Sequence, residues 1–256
     1  SVLPSPRGDS ARIQRALGSV SDKTGLIELA HALQGMGVEI VSTSGTAKAL
    51  QEAGIPIRPL DTVTGFPEIL AGRVKTLHPS VHGAILLRRR DPAQAREAAA
   101  LGIEPIDLVV VNLYPFAKTA AQSSSPYAQE VIDQIDIGGV ALIRAAAKNF
   151  EDVSVLTSPA DYPAALKELE SGGGQLSLDT RRRLALAAFR HTAEYDSMIS
   201  QAWSDKTAKP GDLPQTMTVG LTKVSGLRYG ENPHQKAALY VRDGKAEPSF
   251  VQHHGK

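Results

Sequence analysis

Two short turns carry the first chemistry that can be read from this chain. Ser19-Val20-Ser21-Asp22-Lys23-Thr24-Gly25 and Ser42-Thr43-Ser44-Gly45-Thr46 each combine hydroxyls with a glycine just before a predicted helix. Unpaired backbone N–H groups and the helix dipole make such a place an anion site, and Lys23 would add a full positive charge. For one such turn alone, simple helix capping is the commoner use. Two of them after successive strands favour a phosphate. The segment Arg73-Val74-Lys75-Thr76-Leu77-His78-Pro79-Ser80-Val81-His82-Gly83 packs two cations and two histidines around a proline. His78 and His82 have the spacing of paired metal ligands, but Pro79 lies between them and no third ligand is near, so a cationic substrate-contacting loop is the better reading. Asn112-Leu113-Tyr114-Pro115-Phe116 follows the most apolar run of the chain, which puts Asn112 and Tyr114 at a strand's C-terminal end as functional groups or as loop anchors. Asp136, ahead of Gly138-Gly139, is either a helix cap or an acid/base group beside a second N–H cradle, on a helix that reaches Arg144, Lys148 and Asn149.

Composition limits what these residues can be part of. There is no cysteine, which excludes a disulfide scaffold, a thiolate zinc site and a cysteine nucleophile, and fits a reducing compartment. Lysine plus arginine total 28 against 27 acidic residues, a balance with no one-sided basic surface for nucleic acid. With 42% hydrophobic residues a buried core is expected. No apolar run approaches the roughly 20 residues of a membrane span, and the proline-containing start, Ser1 to Asp9, lacks the apolar core of a signal peptide. Gly-x-Ser-x-Gly, Walker and Gly-x-Gly-x-x-Gly patterns are absent, against a serine hydrolase, a P-loop NTPase and a dinucleotide dehydrogenase.

The elements that must position these residues alternate. Strands are predicted at 16–20, 38–41, 106–111 and 153–156, with an extended start at 55–58. Helices are predicted from Leu26, capped by Ser21 or Asp22, and at 47–53, 138–148, 162–169 and about 180–203. This rhythm makes an α/β fold, a parallel sheet of βαβ units wrapped by helices. Arg181, Arg182 and Arg183 read as a solvated helix face. The domain reading is a disordered tail over 1–10, a catalytic domain over 11–203, a linker over 204–216 and a short piece of a second domain over 217–256, too small for a core of its own.

From about Arg15 onward the chain closely resembles the bifunctional purine-biosynthesis family, which joins inosine-monophosphate (IMP) cyclohydrolase to aminoimidazole-carboxamide ribotide (AICAR) formyltransferase. Ser19 to Gly25, Gly65-Phe66-Pro67-Glu68, Gly72 to Pro79, Asn112 to Phe116, Gln134 to Gly139 and Arg144 to Asn149 carry the resemblance. It implies a fold similar to methylglyoxal synthase. It implies that Ser19, Ser21, Lys23, Thr43, Gly45 and Thr46 hold the substrate phosphate, and that Arg73, Val74, Lys75, Thr76, Asn112, Tyr114, Asp136, Ile137, Gly138, Gly139 and Lys148 surround the imidazole. The family turn Ser-Gly-Gly-Thr stands here as Thr43-Ser44-Gly45-Thr46, so a side chain occupies a place where glycine is expected. Leu227 to Gln235, with Arg228, Tyr229 and His234, resembles the start of the formyltransferase. That domain's catalytic lysine–histidine region is not in the chain, which is expected to be a truncated piece without formyltransferase activity.

The implied reaction is dehydrative closure of formamido-imidazole-carboxamide ribotide (FAICAR) to IMP, the last step of de novo IMP synthesis, with no metal or cofactor. Formyl-tetrahydrofolate would serve only the missing domain. Asp136 is expected as base or amide-orienting group, Lys148 with the N–H groups of Gly138 and Gly139 at the oxyanion, and Lys75 and Tyr114 as proton handlers. The family is cytoplasmic and homodimeric, mainly through the absent domain, which leaves a monomer open for this chain. The rival readings on the same fold are a methylglyoxal-synthase-like lyase and a nucleotide-sensing regulatory module.

Overall fold

The computed structural model describes residues 12–207 and 213–242; the expected N-terminal tail, part of the linker and the last C-terminal residues lie outside the described residues. In chain order the elements are β1 (Arg15–Val20), α1 (Leu26–Gly35), β2 (Glu39–Ser42), α2 (Ser44–Glu52), β3 (Arg58–Pro59), α3 (Leu60–Thr64), a 3-10 turn (Leu70–Gly72), α4 (Pro79–Leu86) and α5 (Pro92–Ala100). Then come β4 (Leu108–Asn112), α6 (Phe116–Gln122), α7 (Gln129–Ile132), α8 (Gly138–Lys148), β5 (Ser154–Leu156), a 3-10 turn (Pro159–Asp161), α9 (Tyr162–Ser171), α10 (Leu178–Thr207), β6 (Leu221–Leu227) and β7 (Ala237–Arg242). The chain forms two compact units, one of residues up to Tyr114 with Asp136–Thr192, the other of Pro115–Ile135 with residues from Ala193 on.

The first unit is the expected α/β layer. Its strands run in the order β3-β2-β1-β4-β5, every pair parallel. From β1 the chain winds outward through β2 and β3, then returns to the other side of β1 for β4 and β5. The winding therefore reverses between β1 and β4, where Val20 pairs with Asn112 at the C-terminal ends. Open parallel sheets bind ligands at such a switch point, because the connections leave in opposite directions and open a crevice. Alternation along the strands sends Ala16, Gly18, Ile40 and Val110 toward Leu26, Leu29, Ala30 and Leu33 of α1 and Leu50 of α2. Leu17, Val41 and Val109, fully buried, belong to the opposite face, and α8 packs against β4 and β5 with Leu142, Ile143 and Ala146 buried. Full burial of both faces explains why β4 reads as an unbroken apolar run.

Four local expectations are corrected. Neither Ser21 nor Asp22 caps α1: the N-cap is Gly25, at φ 67°, and Asp22 accepts the N–H and hydroxyl of Thr24 instead, at 2.9 and 2.7 Å. Lys23 and Thr24 form a turn that must be closed by a left-handed residue, which glycine adopts without strain. Helix α2 begins at Ser44, before the expected Ala47, because its first turn is polar and escapes apolar periodicity. The arginine triplet on α10 is not uniformly solvated: Arg181 is 8% exposed and its guanidinium donates to the carbonyls of Phe150 and Glu151. Helix α10 also continues to Thr207, through residues read as linker.

Opposite the ligand edge, buried Asp107 accepts the N–H groups of Gln14 and Arg15, each at 2.7 Å, and pairs with Arg89 at 2.5 Å. It ties the starts of β1 and β4 together. In the second unit Phe116 is buried and meets Tyr195 edge-on, the Tyr195 hydroxyl donates to the Gln134 carbonyl at 2.6 Å, and β6 and β7 form an antiparallel ribbon.

Candidate active site

The two hydroxyl-rich turns are side by side. The Thr43 hydroxyl donates to Ser19 Oγ at 3.0 Å, and Thr46 Oγ1 accepts the Val20 N–H at 2.9 Å while donating to the Val20 carbonyl at 3.3 Å. Thr46 is 2% exposed. Thr43 and Thr46, expected at the phosphate, thus bind the turns to each other rather than presenting free hydroxyls. Ser19 and Ser21 are half-buried, and Lys23, Ser44 and Gly45 are exposed. No side chain caps α2 and no acid stands in its first turn, so its N-terminus keeps the unfilled donors of a free helix end. Ser44 does not fill the space where glycine was expected over the helix end, since its hydroxyl turns to Glu68 Oε2 at 2.8 Å.

Asn112 is buried, and every polar atom of its side chain is used. Its Oδ1 accepts the N–H groups of Ser21 and Asp22 at 2.7 and 2.8 Å, and its Nδ2 donates to the Asp22 carbonyl at 2.8 Å. It holds the first turn in shape from the neighbouring strand.

Asp136 is the carboxylate expected to act as acid or base. Its Oδ1 accepts the Gly139 N–H at 2.7 Å, and it also accepts the backbone N–H of Tyr114. Burial raises its pKa above the ordinary carboxylate range, against the opposing pull of those two N–H groups and of the positive charge on Lys75. The capping reading of Asp136 is met by its bond to the Gly139 N–H. The Gly139 N–H is occupied by Asp136, so it is not a free oxyanion donor. Glycine is required there, since a Cβ on Gly139 would stand 2.7 Å from Asp136 Oδ2. Gly138 is packed equally closely by the hydroxyl of buried Thr76, which docks the segment Arg73–Thr76 onto the start of α8. Lys75, Thr76, Tyr114, Asp136, Gly138 and Gly139 are thus brought together, with Ile137 and Tyr114 exposed at the rim, Arg73 exposed and Val74 half-buried.

Lys148 is not brought there. It ends the 11-residue helix that Gly138 begins, roughly 15 Å along the axis at about 1.5 Å per residue, and it is exposed. A helix that returns from the C-terminal end of one parallel strand to the start of the next necessarily separates its ends in this way. His78 caps α4 by accepting the Ser80 N–H at 3.2 Å and stacks on Phe66 with centroids 6.5 Å apart. Glu68 and Phe66 belong to the Gly65–Glu68 motif but are not among the expected site residues; both line a cavity of about 110 Å³ with Lys75 and Ser44. The signal available for them was their nearness in sequence to the cationic segment. Arg228, Tyr229 and His234, in the second unit, are exposed about the connection between β6 and β7.

Comparison with known proteins agrees with this architecture. A family described as MGS-like domain matches residues 25–141, and one described as AICARFT/IMPCHase bienzyme matches 146–256. The chain is similar to the bifunctional purine biosynthesis protein PurH of Elusimicrobium minutum, 55% identical over 96% of this chain and 47% of the relative. The protein of the same name from Chloroflexus aurantiacus is 54% identical over 96% and 46%. The crystal structure of ForH superposes with a TM-score of 0.68 at 36% identity, over 77% of this chain and 100% of that one. The chain spans about half the length of these curated relatives. With the sheet, the paired turns and the Asp136 cluster in place, these matches show that the chain belongs to the bifunctional purine biosynthesis protein family.

Proposed function

We propose that this chain is the IMP cyclohydrolase of that family, closing FAICAR to IMP with loss of water. The observation that carries the reading is Asp136: a half-buried carboxylate with raised proton affinity, within the field of Lys75, near the sheet's switch point. The two turns at Ser19–Gly25 and Thr43–Thr46 would receive the 5′-phosphate through Ser19, Ser21, Lys23 and the N–H groups at the start of α2. The substrate's carboxamide nitrogen attacks the neighbouring formyl carbon, forming the N–C bond. Asp136 takes the proton released from that nitrogen. The former formyl oxygen takes up two protons with the help of Lys75 or Tyr114 and leaves as water. As its C–O bond breaks, the formamido nitrogen gives up its own proton and forms the ring C=N bond, so the protons lost by the two nitrogens balance those carried off in the water. Both reacting arms sit on one ring, so holding them in attacking geometry supplies much of the acceleration. Lys148 enters this reading through the family resemblance alone, and the turnover of Lys148→Ala decides whether it acts.

The reading includes no cofactor for ring closure. Formyl-tetrahydrofolate belongs to the formyltransferase of the whole family protein; Arg228, Tyr229 and His234 stand exposed on the second unit. A cytosolic, homodimeric whole protein is part of the same proposal. Among the described residues no helix is long and apolar enough to cross a membrane.

The test is the ultraviolet absorbance change when the purified chain meets FAICAR without folate. IMP formation well above the uncatalysed rate is expected. Nucleotide binding without turnover would favour a sensing module, and methylglyoxal release from dihydroxyacetone phosphate would favour the lyase.

A further inference from the structure

The end of α2 that the proposed function assigns to the substrate's phosphate already has an anion of the chain itself beside it. Glu68, 24 residues beyond Ser44, accepts the hydroxyl of this first residue of α2 at 2.8 Å. A carboxylate near a helix N-terminus is favourably placed for the same reasons as a phosphate. The other carboxylate oxygen lies over Gly72: a Cβ there would come within 2.6 Å of Glu68 Oε1, and Gly72 has φ 89°. Gly72 ends a tight turn in which Leu70 and Ala71 both hold left-handed φ, 54° and 53°, unusual for residues with a side chain. The turn is closed by paired hydrogen bonds between Ile69 and Val74, at 3.1 and 3.4 Å, and Arg73 and Lys75 are carried at its exit. One carboxylate therefore spans the helix end and the strained turn that delivers two cations. Ser44, Phe66, Glu68 and Lys75 line the same cavity, whose roughly 110 Å³ is smaller than a site enclosing a whole nucleotide requires.

We propose that Glu68 is an internal stand-in for the phosphate monoester: it straps the 69–74 turn to α2, and an incoming phosphate displaces it. A phosphate brings greater negative charge and stronger acceptor oxygens than a carboxylate, so it wins the helix end and repels Glu68. The turn is then released from α2 and free to swing Arg73 and Lys75 onto the ligand. Ser44 supplies the hydroxyl that anchors the strap, which gives a role to the side chain standing where glycine was expected. The inference rests on the phosphate assignment of the proposed function, and the experiment separates the two.

Inorganic phosphate binding to the whole chain is measured by titration calorimetry for the unaltered protein, Glu68→Gln, Ser44→Gly and Lys23→Ala. Hydrogen exchange at the Ile69 and Val74 amides is followed with and without phosphate. Glu68→Gln keeps a hydrogen-bonding group but loses the competing charge, and should bind phosphate roughly two- to fivefold tighter, the scale of one exposed ionic contact. Ser44→Gly should shift affinity the same way. Phosphate should speed exchange at Ile69 and Val74 in the unaltered chain. If phosphate binds, is lost in Lys23→Ala, but binds Glu68→Gln no more tightly, the strap is wrong and the phosphate assignment stands. Should neither the unaltered chain nor Glu68→Gln bind phosphate, both fail. Tighter binding by Glu68→Gln without any change in exchange would overturn displacement of the turn.

Discussion

At the residue scale, burial sets what Asp136 does. Its native-state proton affinity is raised, so the folded chain binds that proton more tightly than the unfolded chain. The sign follows from linkage: this group's contribution to stability falls as pH rises from the ordinary carboxylate range through its raised native pKa. Asp136→Asn should lower FAICAR turnover by about 10²- to 10⁴-fold while changing IMP affinity only a few-fold, measured by absorbance kinetics and calorimetry. The same variant should melt higher than the unaltered chain at neutral pH, with the difference shrinking toward about pH 4. A lower melting temperature at neutral pH would show that the hydrogen bonds of the ionised carboxylate outweigh its desolvation. Asn112 is the other informative side chain. Asn112→Ala leaves two backbone N–H groups and a carbonyl of the first turn without partners, each worth about 1–3 kcal/mol if not rehydrated. Under the proposed function its KM for FAICAR should rise more than its kcat falls, because its side chain shapes the turn proposed to hold the phosphate.

At the scale of elements, the site depends on how closely α8 approaches the 73–76 segment. Gly138 and Gly139 let the Thr76 hydroxyl and the Asp136 carboxylate rest against the helix backbone. Gly139→Ala inserts a methyl 2.7–2.9 Å from the carboxylate atoms, and overpacking of this kind costs about 1–3 kcal/mol. Denaturant melts should show that loss together with a fall in turnover, since Asp136 must move. At the opposite edge, Asp107→Ala leaves Arg89 as a desolvated cation, which should cost about 3–5 kcal/mol. Its effect on KM should be slight in whatever fraction remains folded, because the tie lies at the other ends of β1 and β4.

At the scale of the whole molecule, charge placement matters more than its total. Arg15, Glu39, Arg58 and Glu104 form a closed ion network, with Arg58 to Glu104 at 2.9 Å and Arg15 to Glu104 at 3.0 Å. The hydrogen bond from Arg58, aided by Arg15, holds the Glu104 pKa below its ordinary value. This stabilisation is present above the ordinary carboxylate pKa and is lost as pH falls through the lowered native value, opposite in sign to Asp136. Glu104→Gln should therefore flatten the acid limb of a melting-temperature profile, and the effect should shrink in high salt because Glu104 is half exposed.

The parallel fold was legible in the chain because strands buried on both faces write themselves as apolar runs, and helices between them show their 3.6-residue period. The polar starts of helices were not: the first turn of α2 carries no apolar signal. The candidate residues were legible as types, since hydroxyls, glycines, a lysine and a carboxylate at strand ends have few other shared uses. Their division of labour was decided only in three dimensions. Thr43, Thr46 and Asn112 look like ligand contacts in sequence, yet their hydrogen bonds are spent on the framework, because satisfaction of a buried polar group depends on neighbours far away in the chain. Lys148 and Asp136 are close in sequence but separated by the length of a helix, whereas Lys75 and Asp136, distant in sequence, share an electrostatic field. Local sequence determines the period of an element and the chemistry of its ends; which ends meet is fixed by the order of strands in the sheet.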